Sequence, residues 1–311
     1  VEVGGSSSMK SSNIGGQAVM EGVMMRNADK YAVAVRKTDG EIVVKTEEYK
    51  GIVQNKKIRS LPIIRGVFSF IDSMVLGMST LTYSASFFMD EEEEEKDEKK
   101  ESVMMGLTIA CSVVMAVAIF MILPYFLSQL FRKFTDSTTL ITLLEGAVRL
   151  VIFFGYILLI SRMKDIQRVF MYHGAEHKCI NCIEHGMELN VENVLKSSRL
   201  HKRCGTSFLF IVMIVSIIFF LFIRIESPIW RVVFRLLLIP VIAGVSFEFI
   251  RLAGKSENKL VIFLSKPGMM LQKLTTREPD ASMAEVAIAS VEAVFDWRAY
   301  LKENFGWQEK V

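Results

Sequence analysis

Net charge is the first thing this chain is short of. Its 37 Lys and Arg nearly cancel 34 Asp and Glu, leaving +3 over 311 residues, and the basic side chains are scattered rather than gathered into a stripe. That excludes the electrostatic footprint of a nucleic-acid binder. Histidine and cysteine are equally scarce, four of each. The few there are do not spread out: all the histidines and three of the cysteines fall between Tyr172 and Phe208. Composition alone does not explain such crowding of metal-ligand side chains.

Apolar residues are what the chain has in plenty. Hydrophobic residues make up 51% of it and mean hydropathy is +0.35, more than a soluble domain needs to fill its core, which points to a membrane. Four runs, residues 103–127, 140–160, 206–223 and 229–249, are long enough to cross about 30 Å of hydrocarbon. The connection 161–205 carries Arg162, Lys164, Arg168, Lys178, Lys196, Arg199, Lys202 and Arg203, against Arg132, Lys133 and Arg224 on the opposite side. The positive-inside rule then places the His/Cys segment and both termini in the cytoplasm of a multi-pass protein of the cell membrane. Thiols stay reduced there, so Cys179, Cys182 and Cys204 are expected as ligands or plain thiols, and Cys111 as a buried apolar filler.

The remaining segments sort by composition. Residues 1–12 read as a Gly/Ser-rich tag or linker, and 13–60 as a small cytoplasmic β-containing unit. Within that unit Gly15 and Gly16 read as a tight turn. Tyr31 to Arg36 alternates, Asp39-Gly40 carries a type I′ turn signal, and Glu41 to Tyr49 resumes β-branched residues, which predicts a hairpin. Residues 61–89 mix apolar positions with Arg65 and Asp72 and predict an interfacial or packed helix rather than a span. Residues 90–102 form an acidic linker. After the last span, 251–311 predicts cytoplasmic amphipathic helices: one over 259–274 interrupted at Pro267-Gly268, then one opened by a capping box at Ser282 to Glu285 and running toward Glu303. The expected fold class is an α-helical integral membrane protein, with transmembrane helices over 103–160 and 206–250, the interfacial helix, and the N-terminal β unit.

Five charges fall inside these spans: Glu145, Arg149, Arg231, Arg235 and Glu248; of these Glu145, Arg149, Arg235 and Glu248 are the candidates for a role. Each costs about 2.5–3.5 kcal/mol at the bilayer centre unless paired. Glu145 and Arg149 lie four apart on one helix face and are the expected ion pair; the competing reading has all four lining a path.

The central segment supports two metal arrangements. A helix over 163–185 places His173 and His177 at i and i+4 with Glu176 between them, the H-x-x-E-H order in which two imidazoles hold a metal and the carboxylate acts as general base. Cys179-x-x-Cys182 followed by His201-x-x-Cys204 instead has the outline of a structural zinc site. On one continuous helix Cys179 and Cys182 point away from the His173/His177 face, so geometry decides between them.

Several stretches together resemble the YqhQ-like family of bacterial membrane proteins: IGGQAVMEGVMMR at 14–26, PIIRG at 62–66, YHGAEHK at 172–178, HKRCGTSF at 201–208 and TTREPD at 275–280. The resemblance implies a predicted metal-dependent enzyme. Its pattern matches His173, Glu176, His177, Glu184, His201, Arg203 and Cys204 and does not require Cys179 or Cys182. That shifts the expectation toward zinc, or another divalent transition metal, held by His173 and His177 with His201 or Cys204. Glu176 would then be the base, and Glu184 and Arg203 supporting residues. Glu184 rises about 10 Å along the helix from His177, too far to share that metal. The function expected is metal-dependent hydrolysis of a membrane-proximal substrate. The alternative is a transport or assembly factor, or a lipid-binding scaffold, with a structural zinc site. Membrane lipids are the expected partners, a homo-oligomer is left open, and nucleic acid is not expected.

Overall fold

The computed structural model describes residues 9–88, 98–201, 204–223, 225, 227–255 and 258–308. The first eight residues of the expected tag, most of the acidic linker, and Arg203 therefore lie outside the described residues.

The chain opens with a four-stranded antiparallel meander, β1 (Gly15–Val19), β2 (Gly22–Asn27), β3 (Lys30–Arg36) and β4 (Ile42–Glu48), in the order β1-β2-β3-β4. The glycine pair read as a turn is instead the start of β1, which pairs Gly15 with Arg26 and Val19 with Gly22. Gly16 cannot carry a side chain there, because a Cβ would sit 2.4 Å from the Met24 carbonyl. The hairpin expected at Asp39-Gly40 exists, but its turn differs. Arg36 pairs with Ile42, Lys37 N–H donates to Glu41 O at 2.9 Å, and Gly40 sits at φ +89°. This is a three-residue loop with a left-handed glycine rather than a two-residue type I′ turn.

Helices follow: α1 (Lys56–Ser60), α2 (Ile64–Ala85), α3 (Glu98–Val117), α4 (Leu123–Gln129), α5 (Thr138–Ile160), α6 (Lys164–Glu184), α7 (Val191–Lys196), α8 (Gly205–Phe222), α9 (Pro228–Lys255), α10 (Lys259–Thr275), α11 (Ala281–Val294) and α12 (Trp297–Phe305). Five stretches among the described residues are long and apolar enough to cross a membrane: Ile64–Phe88, Val103–Lys133, Thr138–Ile160, Gly205–Phe222 and Ile229–Ala253. The sequence reading counted four, because Arg65 and Asp72 made the first seem too polar. Asp72 is in fact buried and spoken for, accepting from Tyr49 O–H, Ile52 N–H and Arg59. Cys111, expected as buried filler, is exposed on α3.

Between α3 and α4 the helix widens into a π segment, Ala118–Ile122. Pro124 lacks the N–H that would close an i to i−4 bond on Phe120, so that carbonyl is released. Arg149 of α5 takes it, donating from Nε at 2.9 Å. The same guanidinium reaches Glu145 at 2.9 Å and Ser216 of α8 at 3.1 Å, while Arg235 of α9 clasps the other side of Glu145. The expected Glu145/Arg149 pair is thus a buried triad joining three helices. Glu248 is elsewhere, bonded to Arg65 of α2 at 2.6 Å, so the four charges do not line one path.

The sheet, α6, α7 and α11 enclose the main core, with Tyr172, Ile180 and Ile183 of α6 nearly inaccessible. Each such aliphatic side chain contributes about 1.5–3 kcal/mol on burial. The sheet of the N-terminal unit and α11 cover α6, while α2 packs on the outer face of the sheet through Leu76. The C-terminal helices also depart from expectation. α10 runs through Pro267 without a break. The cap of α11 is Asp280, which accepts from Met283 N–H at 2.9 Å, and the helix ends at Val294 before α12 begins. Trp297 is buried and packs against Trp307.

Candidate metal centre

The site is built on α6, which is continuous as the periodicity predicts. Asp165 in its first turn suits the positive end of the helix dipole. Its other end is a Schellman stop: Gly186 at φ +77° donates to Ile183 O and Met187 N–H to Cys182 O, both at 3.0 Å. On the face toward the bundle, His173 and His177 lie one turn apart with ring centroids 4.4 Å from each other. Cys204 arrives from the N-terminus of α8, where its sulfur also accepts Thr206 N–H at 3.4 Å. His173, His177 and Cys204 each bring a ligand atom within 4.8 Å of the others, and they are the one group of three or more such residues gathered this way among the described residues.

Ring orientation tests whether this set fits a metal. His173 Nδ1 lies 2.8 Å from Thr275 O, and His177 Nδ1 lies 2.7 Å from Arg199 O. A carbonyl only accepts, so each Nδ1 must carry the proton and each Nε2 is left with its lone pair. His173 Nε2 is 3.2 Å from Cys204 Sγ. Backbone carbonyls fixing Nδ1–H while Nε2 turns to a shared centre is how ligating imidazoles are held. Two such imidazoles and a thiolate suit zinc and leave a fourth tetrahedral position open. The set fits.

Electrostatics favour the thiolate, and they also favour a proton on the His173 imidazole, which a metal would displace. Burial by itself would raise the Cys204 thiol, but His173 and His177 beside it reverse this and hold it well below the usual thiol range. Burial opposes a charge on His173, yet Cys204 and then Glu176 outweigh it and raise its pKa to about 9. Glu176 is buried, with Oε2 3.9 Å from His173 Nε2. Its stem lies beside β1, where a Cβ on Gly16 would come within 3.1 Å of Glu176 Cγ. The sheet's glycine thus makes room for the carboxylate.

The other expected ligands go elsewhere. His201 Nε2 faces Glu184 Oε2 at 3.3 Å, and Glu184 Oε1 accepts both N–H and O–H of Ser12 at 2.7 Å. The His201 ring centroid lies 5.8 Å from that of His177. Cys179 and Cys182 face the main core, away from Cys204. Burial pushes the Cys179 thiol well up and that of Cys182 to about 12, and Cys182 Sγ lies 3.3 Å from Glu188 O, so neither behaves as a thiolate.

The residues that sequence reasoning missed act mostly through backbone. Thr275 and Arg199 contribute carbonyls, and the Arg199 side chain ties Thr276 O at 2.6 Å. Gln272, fully buried, accepts from His201 N–H at 2.8 Å and donates to His201 O and Ser207. Gly174 lets 275–280 press onto α6: a Cβ there would fall 2.0 Å from Arg277 O. Nothing in one sequence ties the TTREPD stretch at 275–280 to the histidine motif at 172–178; the fold alone brings them together.

Comparison with known proteins places this architecture. A family profile described as "Protein of unknown function (DUF1385)" matches residues 61–297. "Uncharacterized protein YqhQ" of Bacillus subtilis (strain 168) is 36% identical over 301 residues, covering 93% of this chain and 94% of the relative. No solved structure matches. With that profile match running from α2 through α11 and including the His/Cys cluster, the chain belongs to the DUF1385 family.

Proposed function

We propose that this protein is a metal-dependent hydrolase working at the cytoplasmic surface of a membrane, with zinc held by His173, His177 and Cys204. The observation that carries the reading is the pair of Nδ1 contacts to Thr275 O and Arg199 O, which aim both Nε2 atoms at the Cys204 side. Bound zinc supplies Lewis acidity, polarising a carbonyl or phosphoryl oxygen of the substrate. Glu176, one turn from His173, takes the proton from the attacking water and returns it to the leaving group. Glu184 and His201 steady the cluster from behind, and Lys178, tied to Leu195 O and Ser197 O at 2.8 Å, holds the returning loop against α6.

Placement follows from parity. Gln17 donates to Gly77 O and Thr80 of α2, and Met20 N–H donates to Ser84, so α2 stays beside the sheet along its second half. With α2 on the surface, four spans remain, and both chain ends share a side with the centre. The basic excess in 161–205 makes that side cytoplasmic. A single cysteine at Lys196, in a background lacking the others, is therefore expected to resist a membrane-impermeant thiol reagent in intact cells and to label once they are opened. Labelling from outside reverses the topology.

The test of the chemistry is Glu176→Gln. It keeps the shape and removes the base, so zinc content and melting temperature should stay at the parent level while turnover falls by about 10²–10⁴. Loss of zinc in this variant assigns Glu176 to the metal and overturns its role as base.

A second reading rests on the 3.2 Å contact between His173 Nε2 and Cys204 Sγ at a helix N-terminus, an arrangement that also activates a cysteine nucleophile. Metal analysis separates the two. Activity that persists without metal and disappears on alkylation of Cys204 selects the nucleophile.

A further inference from the structure

Two cavities meet behind Cys204. The larger, about 690 Å³, opens between the sheet, α2, α8 and α9 with Cys204 in its wall. Its polar lining is Asn13 and Gln17 at the β1 side and Ser69 and Ser73 of α2; Arg26 is the single charged residue among its described lining residues, with Nε donating to Ala28 O at 2.7 Å and one terminal nitrogen to Tyr49 O at 3.4 Å, which leaves the other terminal nitrogen for a ligand. The smaller, about 220 Å³, lies deeper among the helices, with mainly apolar walls that include Val212, Met213, Ile242 and Ala243. Phe70, Phe208 and Leu209 line both, and the Phe70 and Phe208 rings stand 5.5 Å apart at the junction. The inner end is marked by Arg149 and Ser216. All three guanidinium nitrogens of Arg149 already donate, to Phe120 O, Ser216 and Glu145, so this end is a closed floor rather than a ligand for a head group.

We infer that the substrate of the centre is a single-chain anionic amphiphile, a lysophospholipid or a molecule built like one. Its head group sits between Arg26 and Cys204, and its tail passes Phe70 and Phe208 into the inner cavity. This rests on the hydrolase reading for the chemistry, but the cavities stand without it. Length supports a single chain: Cys204 and Ser216 are twelve residues apart on one helix, roughly 18 Å. An alkyl chain built from bonds of about 1.5 Å advances about 1.25 Å per carbon, so the path suits roughly fourteen carbons. Polarity supports the orientation, since Arg26 and most of the hydroxyl and amide groups line the outer cavity, while the inner walls are apolar apart from Ser216 and Arg149, whose nitrogens already donate within the protein. A peptide would leave its backbone groups unpaired in the inner cavity, where almost nothing polar faces it.

The test uses the full-length protein in lipid nanodiscs with a lysophosphatidic acid carrying a diazirine at mid-chain. Irradiation should place the adduct within 208–216. A fourteen-carbon lysophosphatidic acid should compete it away, and a six-carbon one should not. Ala243→Phe fills the inner cavity and excludes several methylenes, each worth roughly fourfold, so competition should weaken more than about tenfold. Val212→Phe is the second filling variant should the first not fold, folding being judged by gel filtration and melting temperature. Adduct spread over exposed positions of α3 and unchanged by either substitution is annular lipid only and overturns the inference. Zinc at one ion per chain with no adduct in 208–216 also overturns it and leaves the hydrolase reading standing. Adduct in 208–216 with no zinc does the reverse, keeping the amphiphile site and removing the hydrolase.

Discussion

Cys204→Ser is expected to empty the centre. Removing a group that merely orients a metal ligand costs about 10–100-fold in affinity, so removing the thiolate itself should cost more than about 100-fold. Elemental analysis of protein purified without chelator should therefore read near one zinc per chain for the parent and close to none for Cys204→Ser and His173→Ala. Cys179→Ser and Cys182→Ser should keep the parent value, because those thiols face the core and pair with nothing in the cluster. His201→Ala should fall between, since its ring packs on His177 while its nitrogen serves Glu184. Zinc that survives loss of Cys204 but not of Cys179 would restore the structural site that the Cys spacing suggested.

The largest effect on stability should come from the bundle. Glu145→Gln leaves Arg149 and Arg235 without their shared carboxylate, deep among apolar side chains. Breaking a buried ion pair by removing one partner costs about 3–5 kcal/mol, which for a chain of this size lowers Tm by on the order of 10 °C. Arg235→Met should cost less, because it leaves Glu145 and Arg149 balanced. Glu248→Gln should cost least, its pair with Arg65 being partly exposed. Thermal unfolding of the three variants in one detergent checks the order, and a Glu145→Gln protein no less stable than Arg235→Met removes the charge account.

These expectations show what a single sequence can carry. The spans were legible because apolar length is a local property, and so were the i,i+4 imidazoles, because helix geometry fixes their spacing. Glu145 with Arg149 was legible for the same reason. Arg235, the third member of that triad, joins from a helix 90 residues away, and no local pattern announces it. The first hairpin was missed because residues 15–26, rich in glycine and methionine, lack the alternation that marked β3 and β4; the strands are specified by close backbone approach at Gly16 and Gly22. The carbonyls of Thr275 and Arg199 were invisible for a simpler reason. Every residue has one, and only the tertiary fold decides which face an imidazole. The choice between Cys204 and His201 as third ligand was left open for the same cause, since both lie in one short motif and the turn between them settles which reaches the histidines.

The contact of Gly174 with the Arg277 carbonyl sets an order for biosynthesis. His173 is oriented by Thr275, α6 is pressed by 275–280, and the sheet is covered by α11, all of them late in the chain. The N-terminal segment waits for the same partners: Tyr300 O–H reaches Lys10 O at 2.7 Å, while Ser12 is held by Glu184. A nascent chain that has reached only the end of α9 therefore carries all five long apolar helices and both imidazoles, but not the carbonyl that aims His173. A chain stalled or clipped before Thr275 would keep the His/Cys residues and lose the arrangement that gathers them.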